Sequence, residues 1–128
     1  MSWVVARKGT VLGMHPEGTR NKGHDPYAFL PAKPGVGYLI RDADPETMIV
    51  PFFLNGMSGD LLGEIRRNFR PEGQRGERFR FWFGAPIRVG DLDRTRSGQE
   101  LAEDLVAVLR ELAERDRAQQ ESAGSASA

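Results

Sequence analysis

The segment from Ser97 to Leu112 has the most constraining pattern in the chain, that of a helix with one apolar face to bury. Its large apolar residues recur at the i, i+4, i+7, i+8 and i+11 spacing, which predicts an amphipathic α-helix: Leu101, Leu105, Val108, Leu109 and Leu112. Ser97 and Glu100 form a capping-box pattern, which predicts the helix start. After Arg117, Gln, Ser, Gly and Ala predominate, so we predict a loose, disordered tail over residues 121–128.

Two short apolar segments on either side of a second predicted helix indicate an α/β fold. Residues 10–14 and 48–54 are typical of strands buried on both faces of a parallel sheet, with Pro51 at an edge or a strand end. From Pro34 the sequence predicts a helix that ends before Pro45. Strand, helix and strand form a βαβ unit. We therefore predict one domain over residues 1–120, with a partial, mostly parallel sheet, flanking helices and the C-terminal amphipathic helix.

Residues 78–83 begin by alternating cationic and aromatic side chains, which predicts a strand at a sheet edge. We expect its aromatic face to be covered and its basic face to be open. Six arginines lie in or beside the preceding Gly-rich segment: Arg66, Arg67, Arg70, Arg75, Arg78 and Arg80. They suit either a solvated loop or a surface that meets anionic lipid headgroups or the phosphates of an acyl donor. RNA binding is a further alternative, although no RNA-binding signature accompanies these residues.

Composition excludes several classes of function. The formal net charge is zero and both signs are mixed, so the overall field favours neither nucleic acid nor an acidic partner. The chain has no cysteine, which rules out disulfides, thiolate nucleophiles and Cys-ligated zinc, and favours a reducing compartment. No apolar run approaches the roughly 20 residues needed to cross a bilayer. These observations predict a cytoplasmic location and give no sign of a metal site.

The segment that follows the first predicted strand has the chemistry of a phosphate-binding loop. Gly18 would let a ligand approach the backbone, Thr19 offers a hydroxyl, and Arg20 offers a planar fork that matches phosphate oxygens. Glu17 could orient Arg20 through an ion pair, or it could accept a hydrogen bond from a substrate hydroxyl. The structural alternative is a capped turn with a surface ion pair.

The string Pro16-Glu17-Gly18-Thr19-Arg20 resembles the Phe-Pro-Glu-Gly-Thr-Arg motif of the lysophosphatidate and glycerol-3-phosphate acyltransferase family. Three further segments resemble family motifs: Lys33-Pro34-Gly35-Val36-Gly37, Ile49-Val50-Pro51 and Phe83-Gly84-Ala85-Pro86-Ile87. The resemblance covers roughly residues 9–89.

This resemblance implies an acyltransferase of phospholipid biosynthesis. An acyl group would pass from acyl-CoA or an acyl carrier protein to a glycerol-phosphate-like acceptor, with no cofactor beyond that donor. Glu17, Gly18, Thr19 and Arg20 would hold the acceptor's phosphate. An anionic membrane surface is a further implied partner, which would place the protein at the inner face of the membrane.

The catalytic base of that family is a His followed five residues later by an Asp, and this chain lacks that motif. The fifth residue after His15 is Arg20, and the fifth after His24 is Phe29. We therefore assign no catalytic residue and expect a C-terminal part of the family's domain that is inactive alone. The segment before Gly9 resembles a helix end, which agrees with an N-terminal truncation.

Two alternatives remain open at this point. His15 could pair with Glu17 as a replacement base, although we expect it instead to be a hydrogen-bonded core residue in the place of the family's Phe. The whole chain could also be a non-catalytic module that binds phosphate, a lipid headgroup or a partner.

Overall fold

The computed structural model describes residues 9–19, 23–56, 66 and 80–127. Its regular elements, in chain order, are helix α1 (Gly35–Asp42), strands β1 (Met48–Ile49), β2 (Phe52–Asn55), β3 (Arg80–Phe83) and β4 (Ile87–Arg88), a 3₁₀ turn (Val89–Asp91) and helix α2 (Gly98–Ala126). The predicted helix end before Gly9 lies outside the described residues. Gly9 itself has a φ of 81°, the left-handed conformation expected of it.

Helix α2 confirms the amphipathic helix predicted from the sequence. The Ser97 hydroxyl accepts a hydrogen bond from the Glu100 amide (3.2 Å), and the Glu100 carboxylate accepts one from the Ser97 amide (2.9 Å). Both halves of the predicted capping box are therefore formed. Leu101, Leu105 and Leu112 are buried on the apolar face.

The helix continues to Ala126, through most of the segment for which we predicted a loose tail. These last residues are exposed, so packing does not hold them in place. Local terms favour the helix instead, because Gln, Glu and Ala are good helix formers and Arg117 pairs with Glu121 one turn later (3.4 Å). The tail prediction was based on burial alone and did not take account of helix propensity or of side-chain pairs along the helix.

The predicted mostly parallel sheet is wrong. The described strands form two antiparallel two-stranded sheets, β1 with β4 and β2 with β3. Residues 10–14, predicted as the first strand, form no strand, and Val11 is 95% exposed. An apolar run indicates a tendency to be buried, but it does not specify a neighbour or a direction. Without this strand, no βαβ unit exists in the part of the chain that the structure describes.

The second predicted strand, residues 48–54, divides at Pro51 into β1 and β2. Proline has no N–H to donate to a ladder, and its carbonyl instead accepts a hydrogen bond from the Gly84 amide (2.8 Å). The prediction that Pro51 lies at a strand end is therefore confirmed.

Helix α1, also confirmed, packs on the first half of α2. Ile40, Val89 and Leu101 are the centre of this cluster, each at most 4% exposed. The two helices approach very closely, since a Cβ built on Gly37 would lie 1.9 Å from the Gly98 carbonyl oxygen. Glycine is required at this crossing.

The second half of α2 covers one face of the β2–β3 sheet. Phe53 packs there against Leu112 and Ala113. Arg80 and Trp82 lie on the same covered face, since they pair across the ladder with Asn55 and Phe53.

The opposite face of this sheet, which we call the aromatic face, consists of Phe52, Phe81 and Phe83. Their exposed fractions are 47%, 56% and 66%, and neighbouring rings lie 6.2–6.4 Å apart between centroids. The predicted strand is confirmed over residues 80–83, but the prediction of a covered aromatic face and an open basic face is wrong. A buried carboxylate on α2, Asp116, holds Arg80 inside by an ion pair (2.7 Å) and so fixes which face points outwards.

Candidate functional site

The predicted phosphate-binding loop begins with a tight turn. The Gly18 amide donates to the His15 carbonyl oxygen (2.9 Å), and Gly18 has a φ of 77°. This left-handed conformation is strained for any residue with a Cβ, so the turn explains why glycine occupies the position.

A second segment of the chain holds this turn from behind. The Leu30 amide donates to Glu17 Oε2 (2.5 Å), and the Lys33 amide donates to the Pro16 carbonyl oxygen (2.8 Å). Glu17 is only 9% exposed. The carboxylate of Glu17 thus fixes the turn to a neighbouring backbone segment, a role that differs from both roles predicted for it.

The outer edge of the turn is open to solvent. Gly18 and Thr19 are exposed, and the aliphatic stem of Lys33 lies against Gly18, 3.0 Å from where a Cβ would be. Arg20, which we predicted to bind the phosphate through its guanidinium, lies outside the described residues. Of the four predicted site residues, the structure therefore brings Glu17, Gly18 and Thr19 together and adds Lys33 beside them.

His15 is exposed, so the prediction that it fills an aromatic position in the core is wrong. Residues 10–14 before it do not enter a sheet, and a side chain that follows them has no core to occupy. His24 is exposed as well.

A buried carboxylate on helix α2, Asp116, is the centre of a second group of polar side chains. Asp116 is 0% exposed and accepts hydrogen bonds from four side chains, which we call the Asp116 network: Tyr27 Oη (2.9 Å), Asn55 Nδ2 (2.8 Å), Arg80 Nε (2.7 Å) and Trp82 Nε1 (2.9 Å). These donors come from a loop, from β2 and from β3. The network therefore joins three parts of the chain to helix α2 through one side chain.

The network also sets the ionisation of its members. Burial opposes the charged form of Asp116, but hydrogen bonds from Arg80, Asn55, Trp82 and Tyr27 outweigh it and hold the pKa of this carboxyl well below its usual range. The pKa of Tyr27 is raised by burial and by its hydrogen bond to the Asp116 carboxylate. Asp116 is thus a stable anion with its acceptor capacity in use, and we assign it no proton transfer.

Sequence reasoning missed Tyr27 and Asp116. A signal for Asp116 was present, since it continues the apolar stripe of Leu101, Leu105 and Leu112 by one turn, where a charged residue must be buried with partners. Its partners are 34 to 89 residues away in the chain, and no local pattern identifies them.

Only two of the six arginines in and beside the Gly-rich segment are among the described residues. Arg66 is exposed and Arg80 is engaged by Asp116, while the other four arginines lie outside the described residues. In the described ranges, no group of three or more His, Cys, Asp or Glu residues could hold a metal ion.

Comparison of the chain with protein-family models, curated proteins and solved structures gave no match. None of the described helices is long and apolar enough to cross a membrane.

Proposed function

We propose that residues 17–20 bind the phosphate of a glycerol-phosphate-like acceptor, as the acceptor-binding part of an acyltransferase of phospholipid biosynthesis. The observation that supports this function is the geometry of the turn. Glu17 and Pro16 are tied to the segment behind them, while Gly18 and Thr19 are exposed at the front. A loop fixed in this way needs little ordering when a ligand arrives.

The residues at the front have the chemistry that a phosphate requires. Gly18 has no side chain to keep a phosphate oxygen from the backbone, and the Thr19 hydroxyl can donate a hydrogen bond. Arg20 adjoins Thr19 in the chain and would supply a bidentate guanidinium. The Lys33 stem lies against Gly18, so a second cationic side chain lies beside the loop.

In the proposed reaction, an acceptor hydroxyl attacks the thioester carbonyl of acyl-CoA or an acyl carrier protein. An ester C–O bond forms, the C–S bond breaks, and the thiol leaves. The loop would hold the acceptor so that its hydroxyl lies in attack geometry. The base that accepts the hydroxyl proton is not assigned to this chain, because neither His15 nor His24 is followed by an Asp at the family spacing. We place this reaction at the cytoplasmic side of a membrane.

Calorimetric titration of the chain with sn-glycerol 3-phosphate tests the proposal. Removing a charge-assisted contact costs about 2–3 kcal/mol, so Arg20→Ala should weaken binding by roughly 30- to 150-fold. Arg20→Lys should recover part of the loss, because it keeps the charge but not the fork. Arg88→Ala is the matched control, since Arg88 is an exposed arginine already paired with Glu46 and Asp91. Equal affinity of Arg20→Ala and Arg88→Ala would refute the phosphate site.

The aromatic face favours a second candidate function, a non-catalytic module that binds a lipid surface. Three exposed phenylalanines in one row are unusual on a solvated sheet, and such rings insert readily at a bilayer interface. Sedimentation with phosphatidylcholine vesicles, with and without phosphatidylglycerol, tests it. Phe81→Ser should reduce the bound fraction and Tyr38→Ser, an exposed aromatic on α1, should not. If no vesicle sediments the chain, this candidate is excluded.

A further inference from the structure

One short segment, residues 27–33, which we call the bridging segment, connects the Asp116 network with the phosphate loop. At its first end, the Tyr27 hydroxyl donates to Asp116 (2.9 Å) and the Tyr27 ring stacks on Phe53 (6.1 Å between centroids). At its other end lie the two hydrogen bonds that hold the turn, from the Leu30 amide to Glu17 and from the Lys33 amide to the Pro16 carbonyl.

The bridging segment is too short to act as a flexible linker between its two ends. Leu30 follows Tyr27 by three positions in the chain, a reach of about 10 Å when fully extended. Phe29, between them, is also held, because its ring lies 6.3 Å from that of Phe53 and the Arg110 guanidinium lies 5.9 Å from its centroid. We therefore expect a displacement at Tyr27 to reach the Leu30 amide and the Glu17 carboxylate bound to it.

We propose that Tyr27 and Asp116 are positioning residues for the phosphate loop, an inference that rests on the proposed function of that loop. Asp116 fixes Tyr27, Tyr27 fixes the start of the bridging segment, and the Leu30 and Lys33 amides then fix the turn at Gly18. Neither residue contacts the phosphate. Their effect on the acceptor is to keep Gly18 and Thr19 in the geometry that binds it.

Removing only the Tyr27 hydroxyl separates the positioning role from a general loss of stability. Tyr27→Phe keeps the ring on Phe53, and Asp116 keeps its donors from Asn55, Arg80 and Trp82. The variant therefore loses the two hydrogen bonds of the hydroxyl, the one it donates to Asp116 (2.9 Å) and the one it accepts from Asn55 Nδ2 (3.2 Å), without emptying the core. Tyr38→Phe makes the same chemical change at a tyrosine of α1 that is 55% exposed, and it is the matched control.

A double-mutant cycle on sn-glycerol 3-phosphate affinity tests the inference in the full chain. We expect Tyr27→Phe to weaken binding about fivefold, the effect of losing the net contribution of the hydrogen bond to Asp116, and Tyr38→Phe to leave it unchanged. In the Glu17→Ala background, Tyr27→Phe should have a smaller effect than in the parent chain, because one of the two hydrogen bonds through which it acts is already lost. Independent effects that multiply, or unchanged affinity in Tyr27→Phe, would overturn the inference.

Amide hydrogen exchange distinguishes a failure of this inference from a failure of the proposed function. The Lys33 and Gly18 amides, both hydrogen-bonded in the turn, should exchange faster in Tyr27→Phe than in Tyr38→Phe. Faster exchange in a chain that does not bind sn-glycerol 3-phosphate would uphold the positioning and reject the phosphate function. Unchanged exchange would reject the positioning, whatever the chain binds.

Discussion

Replacement of Asp116 by alanine should be among the most destabilising single changes in the described part of the chain. Asp116 is fully buried, so its removal leaves the Arg80 charge without a counter-ion and three further donors without their acceptor. Breaking a buried ion pair in this way costs about 3–5 kcal/mol. The Arg80 side chain is 27% exposed and water can reach it, so we expect about 3 kcal/mol, the lower end of that range.

Urea unfolding followed by far-UV circular dichroism measures this loss, because α2 supplies most of the helical signal in the described residues. The urea concentration at the midpoint should fall, while the slope of the unfolding free energy against urea concentration stays the same. Asp104→Ala is the control, since Asp104 pairs with Arg96 on the exposed side of α2 and should have no measurable effect. A loss below about 1 kcal/mol for Asp116→Ala would mean that the network does not hold the sheet to α2.

Three further predictions concern the same structure. Gly37→Ala should lower the free energy of unfolding by about 1–3 kcal/mol, because its Cβ would clash with the Gly98 carbonyl, whereas Gly35→Ala meets nothing within 4 Å and should not be destabilising in thermal melts. Ser97→Ala should cost about 1 kcal/mol by removing the N-cap of α2, measured by urea unfolding. The free energy of unfolding should also decrease as the pH is lowered into the acidic range. Because the folded-state pKa of Asp116 lies below the unfolded value of about 3.9, its contribution is complete above that pH and is lost as the pH falls towards the folded-state pKa, so acid titrations of Asp116→Ala should lack this part of the loss.

The elements that could be predicted from the sequence are those set by neighbouring residues. The Ser97 and Glu100 capping box, the apolar stripe of α2 and the interruption at Pro51 follow from rules that act over a few residues. Strand pairing is different, because β2 and β3 are 24 residues apart and their direction depends on which partner is available. The apolar segment at residues 48–54 therefore predicted strands but not their antiparallel partners, and the segment at residues 10–14 predicted a strand that does not form.

The candidate site divides in the same way. The sequence predicted Glu17, Gly18 and Thr19 as site residues, and it interpreted Gly18 as a position where a ligand could approach the backbone. It could not show that the Leu30 amide donates to the Glu17 carboxylate, or that Tyr27 donates to Asp116, since both contacts join residues that are distant in the chain. Side-chain direction in β3 was missed for the same reason, because a counter-ion on α2 decided it.

A titration of the ¹⁵N-labelled chain with sn-glycerol 3-phosphate tests the central claim most directly. If the loop binds the acceptor's phosphate, the amide resonances of Gly18 and Thr19 should shift in a saturable manner, and in Arg20→Ala saturation should require roughly 30- to 150-fold more ligand. Unchanged Gly18 and Thr19 resonances, or saturation of Arg20→Ala at the same ligand concentration as the parent chain, would contradict the account.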